Sequence, residues 1–381
     1  MIRSKPTLLY SLTLNSALSL LFIAAFCCKD EPCVSCPTAP PILDSTSHNY
    51  FWQLDTLTNT QISSSILRDV AIINDTTIWA VGNMFVIGSE GHEKNYNLAV
   101  WNGKTWRLED VLIPTCNDSG REIGASGGNL MSVFAYSASN IWLASAGSLI
   151  HWNGTTFERI CNPQGPVPYA LQKIWGATGN TVYMIGPNGL FARYVGGVWQ
   201  KIFTGTDIDL KDIWGTANDD IWIAGEEIDY AKCILLHFDG VNIRTVYKET
   251  NPNAPVFRTD SIAGFVTSVW TDSPDYAWIT TSSAEYRIPS SSTGESSITS
   301  TAASYGLTLT IRGSRTNNIF VAGFFGTLAH YNGNSWWLYK QFLDFDGTTA
   351  LHFRTASVRE RMVVLVGRTS NKAVALIGKT F

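Results

Sequence analysis

The sequence is poor in charge and in helical patterns. Only 15% of its 381 residues are charged, and no stretch after the N-terminal region shows a helical period. The formal net charge is −4 at pH 7, so no basic field exists to attract nucleic acid, and we expect no nucleic-acid partner. Trp, Tyr and Phe reach 12%, which favours strands over long helices. The composition predicts an all-β protein.

Catalytic motifs are missing as well. The sequence contains no Gly-x-Ser-x-Gly, no His-Glu-x-x-His and no phosphate-cradling Gly-rich loop. Sialidase-like Asp-boxes are absent too, since the nearest stretch, "YNGNSWW", lacks the Ser-x-Asp. We find no ligand set for a metal or another cofactor. The expectation is a protein that is not an enzyme and has no cofactor.

The N-terminal 28 residues have the pattern of an export signal. Arg3 and Lys5 precede an apolar stretch that ends at Cys28. This pattern resembles a bacterial lipoprotein signal, in which the cysteine is acylated and becomes the mature N-terminus. Cys27 is the alternative acylation site, and a cleaved signal or an uncleaved anchor helix are alternative interpretations. All of them place the rest of the chain outside the cytoplasm.

Residues 29–49 follow as a Pro/Ser/Thr-rich segment with too little apolar surface to fold, which predicts a flexible tether. Together with Cys28, its first three residues read "CKDE", which resembles the start of surface-exported lipoproteins of Gram-negative bacteria. The resemblance implies a lipid-anchored protein of the outer membrane or cell surface, with the membrane as one partner.

Three cysteines lie beyond the tether. Cys116 and Cys161 both follow the last strand of consecutive repeats, so we predict a disulfide between them. Cys233 lies in an apolar strand and is interpreted as a buried thiol.

A repeat of about forty residues runs through the chain after the tether. Its anchor in the second strand is Trp222 and the six equivalents Trp79, Trp142, Tyr183, Trp278, Phe320 and Val364. Eight residues before each anchor lies a first-strand slot, which holds Ala71, Phe134, Trp175, Trp214, Trp270, Arg312 and Ala356. Glycine follows the anchor by three residues in five of the seven copies. The constant spacing predicts one structural unit repeated seven times.

Each unit contains four short strands. A polar turn such as "ANDD" joins the first two, and an Asn/Asp-Gly turn joins the last two, as in "HWNG" and "HFDG". The seventh unit is one strand short, and "YFWQLDTL" at residues 50–57 resembles the missing fourth strand. We therefore predict that residues 50–381 form a seven-bladed β-propeller closed by an N-terminal strand that completes the last blade.

The phrases "DIWG", "DIWIAG" and "HFDG" resemble Trp-rich propeller repeats of uncharacterised bacterial secreted proteins and lipoproteins. More distantly, they resemble the BNR/Asp-box and photosystem-assembly-factor propellers. This resemblance implies the architecture and leaves the function open, since such repeats serve enzymes, scaffolds and receptors.

The repeat also assigns the aromatic and histidine side chains. All fourteen tryptophans fall on strand positions, which favours packing between blades over a carbohydrate platform. His151, His237 and His330 occupy one repeat position, so they lie far apart and cannot share a metal. The acidic pairs at 219–220 and 226–227 are interpreted as solvated turn and loop carboxylates.

Most long insertions fall between the second and third strands or after the fourth strand. They lie at 83–96, 109–129, 161–170, 226–231, 247–264 and 341–352, whereas 289–297 is the exception. In an antiparallel blade these connections share one face, here called the long-loop face. Binding usually resides in such loops. We expect the tether to join the opposite, short-loop face and the long loops to point away from the membrane.

The position two before the slot is polar in all seven blades. It holds Asp69, Ser132, Lys173, Asp212, Ser268, Thr310 and Arg354. A ring of this kind at the channel mouth predicts a ligand site with Asp69, Lys173, Asp212 and Arg354, for a calcium ion or a small polar ligand, unless the groups only pair with one another. Three functions remain: a module that binds a protein or a glycan, a part of an outer-membrane assembly, or a polysaccharide-active hydrolase or lyase.

Overall fold

Seven antiparallel sheets of four strands form the body of the protein. The computed structural model describes residues 45–60, 62–117, 119–161, 171–227, 232–250, 262, 264–291, 299–300, 308–344 and 351–380. The predicted signal with Cys28 and most of the tether lie outside these ranges, as do parts of five predicted long loops and of 289–297. The described residues contain no α-helix, and none of their helices is long and apolar enough to cross a membrane. The same residues contain two short 3-10 helices, Phe324–Gly326 and Lys340–Phe342.

The strands follow the repeat. Blades 1 to 3 are β2 (Ile66–Asn74), β3 (Thr77–Ile87), β4 (Glu93–Trp101), β5 (Trp106–Glu109); β8 (Ser132–Ser137), β9 (Asn140–Ala144), β10 (Ser148–Trp152), β11 (Phe157–Cys161); and β12 (Lys173–Trp175), β13 (Thr181–Gly186), β14 (Leu190–Val195), β15 (Val198–Ile202). Blades 4 and 5 are β16 (Leu210–Ala217), β17 (Asp220–Glu227), β18 (Lys232–Phe238), β19 (Ile243–Glu249); and β20 (Val266–Ser273), β21 (Tyr276–Thr281), β22 (Glu285–Pro289), β23 (Thr299–Ser300). Blade 6 is β24 (Thr308–Arg315), β25 (Asn318–Gly323), β26 (Leu328–Tyr331) and β27 (Trp336–Leu338).

The seventh blade joins the two ends of the folded chain. It consists of β28 (Leu351–Arg359), β29 (Met362–Thr369), β30 (Lys372–Lys379) and β1 (Phe51–Thr56), in the order β1-β30-β29-β28. The first strand of every blade contacts the first strand of the next, and β28 contacts β2. Seven hydrophobic clusters fill the spaces between neighbouring blades, so the ring of sheets is closed without an open edge.

The folded part begins before residue 50. The Thr46 backbone N–H donates to the Asn332 carbonyl over 3.2 Å, and the His48 carbonyl accepts from the Tyr339 hydroxyl over 2.8 Å. Residues 46–49, which the sequence assigns to the tether, therefore lie against blade 6. Asn332 belongs to the turn between β26 and β27, so the chain reaches the ring on the short-loop face, as expected.

The slot and the anchor pair across the first two strands in six blades, for example Trp214 with Trp222. The seventh blade differs, because Val364 pairs with Ser357 rather than with Ala356. In blades 1, 2, 4, 5 and 6 the pairing shifts between the slot and the turn, whereas β28 runs to its turn without that shift. The prediction of one unbroken register in all seven copies is therefore wrong for blade 7.

The repeated glycine lies opposite a second β-bulge, near the start of the first strand. In β2 the bulge falls between Leu67 and Asp69, and in β28 between Phe353 and Thr355. A Cβ atom on Gly82 would lie 2.1 Å from the Ile66 carbonyl oxygen. The glycine therefore makes room for the bulged backbone, which explains why it recurs in the sequence.

The tryptophans lie on the predicted strands, and most of them are at least partly buried between blades. Trp337 departs from this rule, since it is 55% exposed on the outer strand β27. The segment 83–96 is not a long loop, as the sequence predicts, but mostly strand. The pairing of β3 with β4 continues to Ile87 and Glu93, so only a short turn separates the two strands.

Candidate functional site

The channel inside the ring contains most of the predicted polar ring. The first strands present Asp69, Lys173, Asp212, Ser268 and Thr310 to a cavity of about 260 Å³. Ser132 lies beside it and is bonded to Asp69. In the seventh blade the equivalent residue is Thr355, because the register of β28 is offset by one; the assignment of Arg354 to this ring is therefore wrong.

Asp69 and Asp212 are held by the same local pattern. The Asp69 carboxylate accepts from the Ser132 hydroxyl and from the Val133 backbone N–H, the latter over 3.1 Å. The Asp212 carboxylate accepts in the same way from Ser268 and from the Val269 N–H, at 3.0 Å. Each carboxylate thus joins its own blade to the next blade in the ring.

Two cationic side chains bind these carboxylates. Lys173 lies between the carboxylates, with its Nζ 3.2 Å from Asp69 Oδ1 and 3.7 Å from Asp212 Oδ1. Arg312 binds both oxygens of Asp212, at 2.9 and 2.6 Å. Burial raises the pKa of Asp212, but Arg312 and Lys173 outweigh it and hold that pKa below its ordinary value. The result is a layer of four alternating charges, here called the ion layer.

The ion layer crosses the channel. A second cavity of about 340 Å³ lies along the first strands, and it shares Asp69, Lys173 and Arg312 with the first cavity. Its walls include Phe134, Trp175 and Trp214 from the slot positions. The upper cavity, at the starts of the first strands, is here called the mouth cavity. It opens on the long-loop face, and the ion layer is its floor.

The ion layer does not suit a cation. The ammonium and guanidinium groups already occupy the space that a calcium ion would need between the carboxylates, and they would repel it. In the part of the chain that the structure describes, no group of three or more His, Cys, Asp or Glu side chains is arranged for a metal ion. The geometry favours the alternative interpretation, in which the groups pair with one another.

A second set of residues surrounds the mouth cavity above the ion layer. These residues directly precede the polar ring in each blade, and they are Arg68, Met131, Gln172, Lys211, Thr267, Leu309 and Arg354. In five blades this residue lies at the β-bulge that the pairing shift marks. A bulge re-aims a side chain, which explains why two consecutive residues both reach the cavity.

Glu226 of β17 also lines the mouth cavity. Its interpretation as a solvated loop carboxylate is wrong, because it lies within a strand and its Oε2 is buried without a hydrogen-bond partner among the described residues. Burial raises the pKa of Glu226 to about 7, against the opposing effect of Lys211 and Arg354.

Asp220 is likewise not a solvated turn residue. It is buried at the start of β17, and its Oδ1 lies 2.8 Å from Nε2 of His237. His151 and His330 repeat this contact with Asn140 and Asn318, and each histidine ring packs on the anchor aromatic. The structural interpretation of the three histidines is thus consistent with their contacts.

The long-loop face carries one well-defined addition to the repeat. Residues 109–129 contain the strands β6 (Ile113–Cys116) and β7 (Glu122–Ser126), which form a hairpin after blade 1. A disulfide joins Cys116 to Cys161 at the end of β11, the pair that the sequence predicts. The side-chain amide of Asn97 in β4 fastens the hairpin base, since it bonds the Val111 N–H and C=O, both at 2.8 Å.

Comparison with known proteins yields likeness in structure only. No family model matches the chain, and no curated protein matches it. Solved structures do match. The fold is that of the seven-bladed β-propellers. YCF48 bound to D1 peptide aligns with a TM-score of 0.59 and 14% identity, covering 87% of this chain and 97% of that one.

Two other propellers align over the same share of the chain. An inactive variant of virginiamycin B lyase from Staphylococcus aureus with quinupristin gives a TM-score of 0.57 at 10% identity and is covered completely. The WD40 β-propeller domain of Doa1 gives 0.55 at 11% identity and is covered to 98%. At these identities the likeness concerns the fold alone.

Three residues of the channel escaped sequence reasoning. Arg312 occupies the first-strand slot, where arginine among Ala, Phe and Trp indicates a different role. Arg68 precedes the ring and was overlooked, and Glu226 was assigned to a loop. The recurring glycine was the available signal for Arg68, because it marks the bulge that turns this side chain into the channel.

Proposed function

We propose that this propeller is a binding module, held outside the cytoplasm by an N-terminal lipid, that engages a protein partner through its long-loop face. A glycan is the alternative partner. The observation that carries the proposal is the hairpin of β6 and β7, which the chain fixes firmly at that face although it contributes to no blade.

The hairpin has the features of a protein-docking strand. Ile123 is 64% exposed on β7, and the following Gly124, Ala125 and Ser126 are exposed and uncharged. Among the described residues β7 pairs with β6 alone, so its other edge offers backbone groups to an added strand. The disulfide, Asn97 and the 2.8 Å ion pair of Arg159 with Glu122 pre-organise the hairpin, which lowers the entropy cost of binding.

The test compares two exposed apolar residues on opposite faces. Ile123→Lys should reduce capture of the partner from native membranes at least tenfold, because it places a charge on the docking strand. Val241→Lys is the matched control, since Val241 is 83% exposed in the turn between β18 and β19 on the short-loop face. Equal capture by both variants, with both folded, would contradict a role of the hairpin.

Membrane anchoring through Cys28 is the second part of the proposal. The chain reaches the ring on the short-loop face, which supports an orientation with the hairpin directed away from an outer membrane or cell surface. Cys28→Ser should move the protein from the membrane fraction to the soluble fraction and abolish labelling by a fatty-acid probe, whereas Cys27→Ser should do neither. The reverse pattern would assign acylation to Cys27.

A polysaccharide-active enzyme is the second candidate, and Glu226 is the observation in its favour. A half-buried carboxyl group whose pKa is about 7 has the protonation range of a catalytic acid or base. A hydrolase has less support than a lyase, because Asp69 and Asp212 are engaged by Lys173 and Arg312 and offer no second free carboxylate. Depolymerisation of a polyuronate that Glu226→Gln abolishes would establish this candidate instead.

A further inference from the structure

The polar side chains that line the mouth cavity do not all have hydrogen-bond partners. Blades 1 and 2 and blades 4 and 5 supply the Asp–Ser pairs of the polar ring, whereas blades 6 and 7 supply Thr310 and Thr355. These two side chains are only 2% and 5% exposed, and neither hydroxyl oxygen has a hydrogen-bond partner among the described residues. Buried hydroxyl groups without partners are rare in native proteins and call for an explanation.

Two arginines lie in the same sector. Arg354 and Arg68 occupy the bulges of blades 7 and 1, directly before Thr355 and Asp69. Arg68 Nε is buried without a partner, and neither guanidinium group has an ion pair among the described residues. The Arg354 side chain is accessible to solvent from the channel. Its burial between the channel walls lowers its pKa, and Arg68 and Arg368 lower it further. Like charges have thus been brought together, and Glu226 is the carboxylate that opposes their effect on the pKa of Arg354.

The charge of the cavity is opposite to that of the chain. Its lining contains five cationic side chains and three carboxylates, although the chain as a whole has a net charge of −4. Lys173 and Arg312 balance the two carboxylates of the ion layer, and Lys211 lies 3.1 Å from Asp209 outside the lining. Arg68 and Arg354 carry the remaining positive charge, one unit of which Glu226 offsets when it is ionised.

The shape of the cavity limits what can enter. Asp69, Lys173 and Arg312 of the ion layer line its border with the second cavity, and its volume of about 260 Å³ is just under the range of typical small-molecule pockets. A cavity of this size accepts a compact group.

We propose that the sector formed by Arg68, Arg354, Thr310 and Thr355 binds a compact oxyanion, namely a small carboxylic acid such as a sugar acid. Guanidinium groups pair with carboxylates, and the two threonine hydroxyls donate to the remaining oxygen lone pairs. This inference deepens the proposed function and rests on it, because it takes the long-loop face to be the binding face. It assigns the channel to a small ligand and leaves the hairpin to the protein partner.

Glu226 couples this site to pH. The groups that face its carboxyl are Lys211 on β16, Arg354 on β28 and the buried thiol of Cys233 opposite it on β18. An ionised Glu226 attracts Arg354 and repels a bound anion, whereas the protonated form does neither. Since its pKa lies at about 7, anion affinity should fall as the pH rises through neutrality.

The experiment is calorimetric titration of the purified protein with galacturonate, with neutral galactose and inorganic sulfate as further probes. Saturable binding of galacturonate and none of galactose is expected. Arg354→Gln should weaken binding at least tenfold, and Arg361→Gln is the matched control, because Arg361 is exposed in the turn of the same blade on the short-loop face. Binding of sulfate alone would replace the carboxylate by a tetrahedral anion and overturn the assignment to a sugar acid.

Thr355→Val separates binding from structure. Valine has the same shape and removes an unpaired hydroxyl, so thermal stability should stay constant or rise while galacturonate affinity falls about tenfold. Unchanged affinity in both Arg354→Gln and Thr355→Val would overturn the proposal. Glu226→Gln should remove the decline of affinity above pH 7, and a decline that persists in this variant contradicts the coupling.

The two proposals fail independently. Loss of anion binding in Arg354→Gln with normal partner capture leaves the proposed function intact and supports the separate channel site. The opposite outcome is that Ile123→Lys and Val241→Lys capture the partner equally well while Ile123→Lys binds galacturonate normally. That outcome would refute the hairpin as the docking element and support the channel site alone.

Discussion

Replacing Asp212 by Asn tests whether the ion layer stabilises the ring. Asp212 and Asp69 each accept from a serine hydroxyl and a backbone N–H of the next blade, and both lie near Lys173. Asp212 alone also binds the guanidinium group of Arg312. Arg312 is 2% exposed, so Asp212→Asn leaves a buried cation without its carboxylate. Removing one partner of a buried pair costs about 3–5 kcal/mol of unfolding free energy.

Asp69→Asn is the matched control. This substitution removes one of the two carboxylates near the Lys173 ammonium group, which keeps Asp212 at 3.7 Å. No buried guanidinium group loses its counter-ion. The expected loss is about 1.5–3 kcal/mol, the contribution of a hydrogen bond to a charged group. Urea denaturation of both variants should give equal slopes and a lower midpoint for Asp212→Asn. Equal midpoints would refute the argument, because Arg312 would then contribute nothing.

The double variant Asp212→Asn with Arg312→Met isolates the pair. Removing the cation together with its partner leaves no buried charge to compensate, so part of the loss should be recovered. The pKa of Asp212 is lowered in the folded protein, so its contribution is present above the ordinary value of 3.8 and is lost as the pH falls through the folded value. The difference between wild type and Asp212→Asn should therefore shrink only in strong acid.

Three further outcomes follow from the structure. Gly82→Ala should lower the unfolding free energy by roughly 2–4 kcal/mol, because the added Cβ meets the Ile66 carbonyl and the bulge must shift; Gly124→Ala, with no atom within 4 Å, should be neutral by the same denaturation assay. Replacing Cys116 and Cys161 by serine should cost about 4 kcal/mol by the chain-entropy relation and make β7 accessible to protease, and unchanged cleavage would argue against a fixed hairpin. Glu226→Gln should stabilise the protein at pH 8 but not at pH 4, since a raised pKa penalises the ionised form only as the pH rises from 4.5 through about 7; an equal effect at both pH values would contradict the burial of this carboxyl.

The repeat made the fold predictable. Each unit carries an aromatic at a fixed distance from a turn, and these features depend on local backbone geometry and on burial, which the sequence records directly. The closing strand at Phe51–Thr56 was predictable for the same reason, because it resembles the other fourth strands. The strand order of the ring then follows from connection lengths.

The register of blade 7 was not predictable from spacing. Val364 lies eight residues after Ala356, as in every other unit, but the bulge that this spacing contains in blades 1, 2, 4, 5 and 6 is missing in β28. A bulge changes the backbone pairing without changing the residue count, so the sequence spacing hides it. The pairing is therefore shifted by one residue, so Arg354 lies not in the polar ring but among the residues that precede it and surround the mouth cavity.

The candidate site was predictable in part. Asp69, Lys173 and Asp212 were found because they share a repeat position, whereas Arg312 and Glu226 contribute from other positions and depend on which blades face each other across the channel. That relation exists only in the closed ring. Asp212 and Arg312, which meet in the channel, are 100 residues apart in the sequence, and no local pattern records such a contact.

The number of blades explains where the site lies, because seven is not a multiple of three. Asp in one blade, Ser in the next and a backbone N–H in the third form a unit of three: Asp69 and Ser132 with the Ile174 N–H, then Asp212 and Ser268 with the Ile311 N–H. Two such units occupy six blades, and the seventh has no unit to join. The unpaired Thr310 and Thr355 and the two arginines gather where the pattern breaks. A fully satisfied ring would have no polar groups left for a ligand, so the mismatch between a period of three and a ring of seven is what makes a binding site at the channel mouth.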